Sequence, residues 1–75
     1  MMKTFGKKRI MEFLESGYTM IHDNFSMKTW IRDDKGNLVS AVKFNHYLEL
    51  TASKLLKKHH PAYAAYSGFE YYTLA

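Results

Sequence analysis

Residues 27–60 read MKTWIRDDKGNLVSAVKFNHYLELTASKLLKKHH, and the way this stretch folds decides the architecture of the chain. Its first half has two strand-like runs around Asp33-Asp34-Lys35-Gly36-Asn37, the pattern of a β-hairpin. Gly36 takes positive φ at little cost, and aspartate suits the first corner of a type I turn. A two-residue I′ loop would force Lys35 to positive φ. A three-residue loop, Asp34-Lys35-Gly36 with Gly36 in the bulge position, fits better. Carried along both strands, it sets Asp33 opposite Asn37, Trp30 opposite Ser40 and Lys28 opposite Val42. One face then holds Lys28, Trp30, Arg32, Leu38, Ser40, Val42 and Phe44. The other holds Met27, Thr29, Ile31, Val39, Ala41 and Lys43. Trp30 is thereby expected to anchor the main core.

The second half, HYLELTASKLLKKHH, reads as an amphipathic helix over residues 46–60. At roughly 100° per residue, Leu48, Ala52, Leu55, Leu56 and His59 share one side, flanked by Tyr47 and Thr51. Glu49, Ser53, Lys54, Lys57 and His60 fall away from it, and Leu50 lies off the stripe. Asn45 suits the N-cap. Lys57, Lys58, His59 and His60 fall in the last turn, where positive charge complements the helix dipole. Pro61 ends the helix.

Toward the N-terminus, Ile10, Phe13 and Leu14 form the stripe of a first helix from about Phe5 or Gly6 to Ser16. Thr4 is placed to cap it and Gly17 to end it. Tyr18 to Asp23 reads as a strand, Asp23-Asn24 as a turn, and a second strand follows from about Ser26. Beyond Pro61, AYAAYS is expected to form a helical turn and FEYYTL a short strand. The aromatic tail from Tyr63 to Leu74 is expected to dock on the body. The fold class is therefore α+β: helix, three-stranded antiparallel meander, helix (αβββα), with a short C-terminal helical turn and strand packed on it.

Seventy-five residues are expected to make a single small domain, 1–75. A chain of this length buries only ~60% of its unfolded surface. It contains no cysteine, so neither a disulfide framework nor a thiolate metal site supports it. Six Tyr, five Phe, one Trp and five Met must supply the core. With 47% hydrophobic and 24% charged residues the chain is globular rather than disordered. No run is long and apolar enough to span a membrane, and no signal peptide is evident. A cytoplasmic location is expected.

Catalytic signatures are missing from the pattern. His22, His46, His59 and His60 lack metal-ligand spacing. No motif pairs two carboxylates for acid–base work. No serine sits in a nucleophile elbow, and the four glycines are isolated rather than forming a phosphate loop. The chain is not expected to be an enzyme, and no cofactor is expected.

Binding remains. Neither alternate set of hairpin residues is polar enough to be a solvated face. With Trp30 turned inward, Met27, Thr29, Ile31, Val39, Ala41 and Lys43 form the expected protein-contact face, covered by a partner, a second copy in a homodimer, or the tail. The net charge of +4 admits an alternative, direct nucleic-acid binding through Lys7, Lys8, Arg9, Lys54, Lys57 and Lys58. Trp30 between Lys28 and Arg32 would also suit base stacking if it were exposed.

Helix, three-stranded meander, helix over roughly residues 6–60 resembles the element order of the double-stranded-RNA-binding domain. That family uses a basic start to its second helix and a loop between its first strands. Here the second helix begins HYLELTAS, its lysines come late, and the loop DNFS is short, so the activity is not carried over. The compact size and the hairpin feeding a helix also look like small accessory proteins of phages and plasmids. The expected function is thus a small non-enzymatic protein that docks on a larger protein or nucleoprotein, such as a mobile-element inhibitor of a host defence machine.

Overall fold

A computed structural model describes residues 4–59 and 68–75, with His59 described by its backbone. The chain forms an α+β fold in the order α1 (Lys7–Glu15), β1 (Thr19–Asp23), β2 (Lys28–Arg32), β3 (Leu38–Val42), α2 (Phe44–Ala52), β4 (Leu56–His59) and β5 (Phe69–Leu74). The five strands make one antiparallel sheet in the order β3-β2-β1-β5-β4. The αβββα part is present. Added to it is a second strand pair, so FEYYTL is an interior strand rather than a docked end.

Helix α1 forms and ends for local reasons. Ile10 and Leu14, one turn apart, are buried. Gly17 takes φ +92° and gives its N–H to the Leu14 carbonyl, while Tyr18 N–H reaches Phe13 O. The Phe13 and Tyr18 rings stack across this stop at 5.9 Å, the contact that accompanies a Schellman cap.

The β2–β3 turn has the expected three-residue loop. Asp33 Oδ1 accepts the Lys35 and Asn37 N–H groups, Asp33 N–H bonds Asn37 O, and Gly36 sits at φ +90°. The expected register survives only as far as Arg32–Leu38. There β3 carries an extra residue, Val39, so that Ile31 pairs with Ser40, Trp30 with Ala41 and Thr29 with Val42. A bulge of this kind exchanges the faces of everything beyond it. Thr29 and Ile31 therefore join Ser40 and Val42 beneath the helices, all four buried. Trp30, expected in the main core, lies on the opposite face with Ala41 and is half-buried.

The core between sheet and helices is Ile10, Leu14, Met20, Ile31, Val42, Tyr47 and Leu50. His22 is buried with them, its Nδ1 2.8 Å from Thr29 Oγ1 and its ring stacked on Tyr47 at 4.0 Å. On the face away from α1 and α2, Ile21 and Tyr71 are buried, and Trp30 meets Phe69 edge-on at 5.7 Å.

The second helix differs most from expectation. It starts at Phe44, with Lys43 rather than Asn45 in the cap position, and ends at Ala52. Thr51 and Ser53 hydroxyls bond the Tyr47 and Leu50 carbonyls, competing with backbone donors. Lys54 then takes φ +63° and reverses the chain. Leu56 to His59 leave as β4, pairing with Leu74 to Tyr71 of β5. Shortening the helix rotates its apolar choice: Tyr47 and Leu50 are buried, whereas Leu55 is 52% exposed. The expected helical turn AYAAYS falls outside the described residues. Among the described residues no helix is long and apolar enough to cross a membrane.

Leu50→Ala is expected to cost ~2–5 kcal/mol, and Leu55→Ala to stay within about 0.5 kcal/mol. Urea melts of the two variants measure both; equal losses would contradict the placement of β4.

Candidate interaction surface

The tip of the β1–β2 hairpin is rigidly built. Asp23 pairs with Lys28 across the strands. Its carboxylate accepts the Phe25 N–H and the Ser26 hydroxyl, each at 2.9 Å. Those two bonds, the Phe25 N–H foremost, hold the carboxyl below its ordinary value. Asp23 O accepts Met27 N–H at 2.8 Å, and Asn24 N–H and Nδ2 both donate to Gly68 O. The loop is thus tied to its own stem and to the chain entering β5. It leaves large apolar side chains outside: Phe25 is 78% exposed and Met27 about half exposed. Met27 also takes φ +59°, a conformation that suits glycine or asparagine.

Because Thr29 pairs with Val42, Met27 and Lys28 enter the sheet at the end where Lys43 and Phe44 leave it. Helix α2 starts there. Its inner side carries Tyr47 and Leu50, and its outer flank carries Phe44 and Leu48, one turn apart and both exposed. The Phe44 ring lies 5.9 Å from Tyr47 and 6.4 Å from His22. Lys28 and Lys43 are exposed at the same end.

The expected protein-contact residues are not on one face. Thr29 and Ile31 are buried beneath the helices, Val39 packs half-buried against the core, and Ala41 is half-buried on the side away from α1 and α2, its backbone bridged by Thr4 at the edge of β3. Met27 and Lys43 stay exposed and near one another in the register. Phe25, Phe44 and Leu48 were not foreseen. Phe25 inside DNFS was the available signal, a large apolar residue in a short turn.

The basic residues of the nucleic-acid alternative are also dispersed. Lys7 bonds Glu49 at 3.1 Å, Arg9 bonds Glu12 at 2.9 Å while lying over the Phe13 ring, and Lys58 bonds Glu70 at 2.8 Å. Lys8, Lys54 and Lys57 are exposed. Thr4, just before α1, is bridged to β3, whereas Lys57 and Lys58 lie on β4 at the other edge of the sheet. Adjacent strand residues point to opposite faces, so even those two lysines diverge.

A polar cluster joins α2 to β4 and β5. Glu70 accepts hydrogen bonds from Lys58 Nζ at 2.8 Å and from the Tyr47 and Tyr72 hydroxyls, each at 3.1 Å. The Lys58 bond foremost lowers the Glu70 carboxyl pKa, and Glu70 in turn raises that of Lys58. Burial pushes both tyrosines up. The tyrosines therefore stay protonated as donors and the carboxylate stays ionised. Each member is satisfied by the others, which makes the cluster a clamp between helix and sheet.

Comparison of the chain with protein-family models, with curated proteins and with solved structures gives no match.

The clamp implies an acid dependence. Glu70 is lowered from 4.5 in the folded chain, so its contribution is complete above that value and lost as pH falls through the folded value below it. Glu70→Gln is expected to flatten the acid limb of stability against pH, read from urea melts at stepped pH. An unchanged acid limb would show that Glu70 does not couple folding to protons.

Proposed function

We propose that the chain is a small non-enzymatic binding protein that docks on a larger protein. Phe25 and Met27 at the hairpin tip are its projecting contacts, and Phe44 and Leu48 of α2 are the adjoining apolar flank. The observation that carries this reading is Met27. An L-residue in the left-handed region costs roughly 1–2 kcal/mol. The Met27 side chain is half in water, so burial within the chain offsets little of it. Glycine would remove the strain. A costly residue kept at an exposed position suits a contact made outside the chain. Exposed apolar residues on a rigid support also resemble the anchors that dominate protein interfaces.

Direct nucleic-acid binding is the weaker reading. Three of its six residues are engaged in ion pairs, and a phosphate-tracking groove needs its cations aligned.

Met27→Gly separates stability from function. It is expected to leave the protein as stable or to stabilise it by up to about 1 kcal/mol, while lowering recovery of the partner when the purified chain is used as bait. Phe25→Ser is expected to reduce recovery further with no change in fold by circular dichroism. Undiminished recovery with both variants would remove this surface from consideration.

A further inference from the structure

We infer that Thr4 and Phe5 form an edge guard, which occupies the outer side of β3 and keeps two copies of the chain from joining their sheets there. Strand β3 stands first in the order β3-β2-β1-β5-β4, so one of its sides faces outward. Such a side offers a row of backbone N–H and C=O groups to any extended strand. The two edges of this sheet are protected differently. Strand β4, LKKH, has Lys57 and Lys58 exposed, and lysine on an edge discourages pairing. Strand β3, LVSAV, has no charged residue. Its bulge at Val39 blunts one end. At the other end Thr4 forms a parallel bridge with Ala41, the one isolated bridge among the described residues.

The guard is anchored from behind. Phe5 is half-buried, packs against the core and meets the Phe13 ring of α1 edge-on at 5.5 Å. Gly6 is extended, with φ −73° and ψ 168°, and α1 begins at Lys7. The segment therefore meets β3 at one residue and then leaves it. Parallel pairing is slightly weaker per residue than antiparallel pairing, and here it spans a single bridge. The Phe5 ring, more than the bridge, holds the guard in place.

The occupant that the guard excludes is a second copy. An isologous antiparallel contact centred on Ala41 sets Ser40 against the second copy's Val42 and Ala41 against its own equivalent. No like charges meet in it. The same contact at β4 sets Lys57 and Lys58 of one copy against those of the other, which repel. Strand β3 is thus the edge at which the chain matches itself, and it is the edge that the N-terminal segment crosses.

Phe5→Ser releases the guard and leaves β3 unchanged. The full-length wild type is expected to sediment as a monomer. Phe5→Ser, with its fold checked by circular dichroism, is expected to about double its sedimenting mass as concentration rises. Hydrogen exchange at the Ser40, Ala41 and Val42 amides is expected to slow as the dimer forms. Adding Ala41→Lys sets cation against cation at the centre of the contact and is expected to restore the monomer. Ala41 is half-buried, so a lysine there can still reach water. Phe5→Leu keeps apolar cover without the ring contact, and it replaces Phe5→Ser if that variant does not fold. A folded Phe5 variant that stays monomeric overturns the guard, as does a wild type that is already dimeric. Self-association that Ala41→Lys leaves intact places the contact elsewhere and overturns it too. If neither Phe5 variant folds, Phe5 is a core residue rather than the anchor of a releasable segment, and the inference fails.

Discussion

The pairing of Ile31 with Ser40, one residue beyond the Val39 bulge, determines which side chains meet the helices. With it, Thr29, Ile31, Ser40 and Val42 turn toward α1 and α2 and are buried. Without it, Lys28, Trp30 and Arg32 would share a side with Ser40 and Val42, and the helices would have to cover two charges. The loop at Asp34-Lys35-Gly36 starts the hairpin, but the bulge assigns its inside and outside. His22 lies on the same side: it stands opposite Thr29 in the β1–β2 pairing, its Nδ1 reaches Thr29 Oγ1, and its ring lies against Tyr47.

The C-terminal strands complete the sheet and depend on the helices in a different way. Strand β5 lies between β1 and β4: Phe69 to Tyr72 pair with β1 and Tyr71 to Leu74 with β4, so Tyr71 and Tyr72 at its middle have partners on both sides. Strand β4 forms the outer edge and carries Lys57 and Lys58. A short edge strand with lysines discourages pairing with another chain. Glu70 then fastens this pair of strands to α2 through Tyr47 and to β4 through Lys58. Burial of Leu50 and Tyr47 and the satisfaction of Glu70 thus support one another across the same helix.

Strain and exposure meet at one end of the molecule. The hydrogen bonds of Asp23 and Asn24 make the hairpin tip stiff, and Met27 is held there in a conformation that its side chain disfavours. A stiff tip loses little freedom when it binds, which favours affinity for a given area of contact. The face away from α1 and α2 differs, because Ile21 and Tyr71 on it are already buried.

What the sequence determined by itself was local. Gly17 ended α1, Asp33 and Gly36 built a three-residue turn, and alternating residues marked β1, β2, β3 and β5, because each of those signals acts over a few bonds. Only the tertiary structure decided the extent of α2 and the two faces of the hairpin. Leu56 to His59 include no residue that forbids helix, and they become β4 because β5 needs an outer partner that lies far away in sequence. Val39 carries no mark of a bulge, and it becomes one because Ile31 and Val42 must share the side that Leu50 covers. The contact surface was half legible for the same reason. Met27 and Lys43 were visible as hairpin residues, but their meeting with Phe25, Phe44 and Leu48 depends on where the sheet ends and the helix begins.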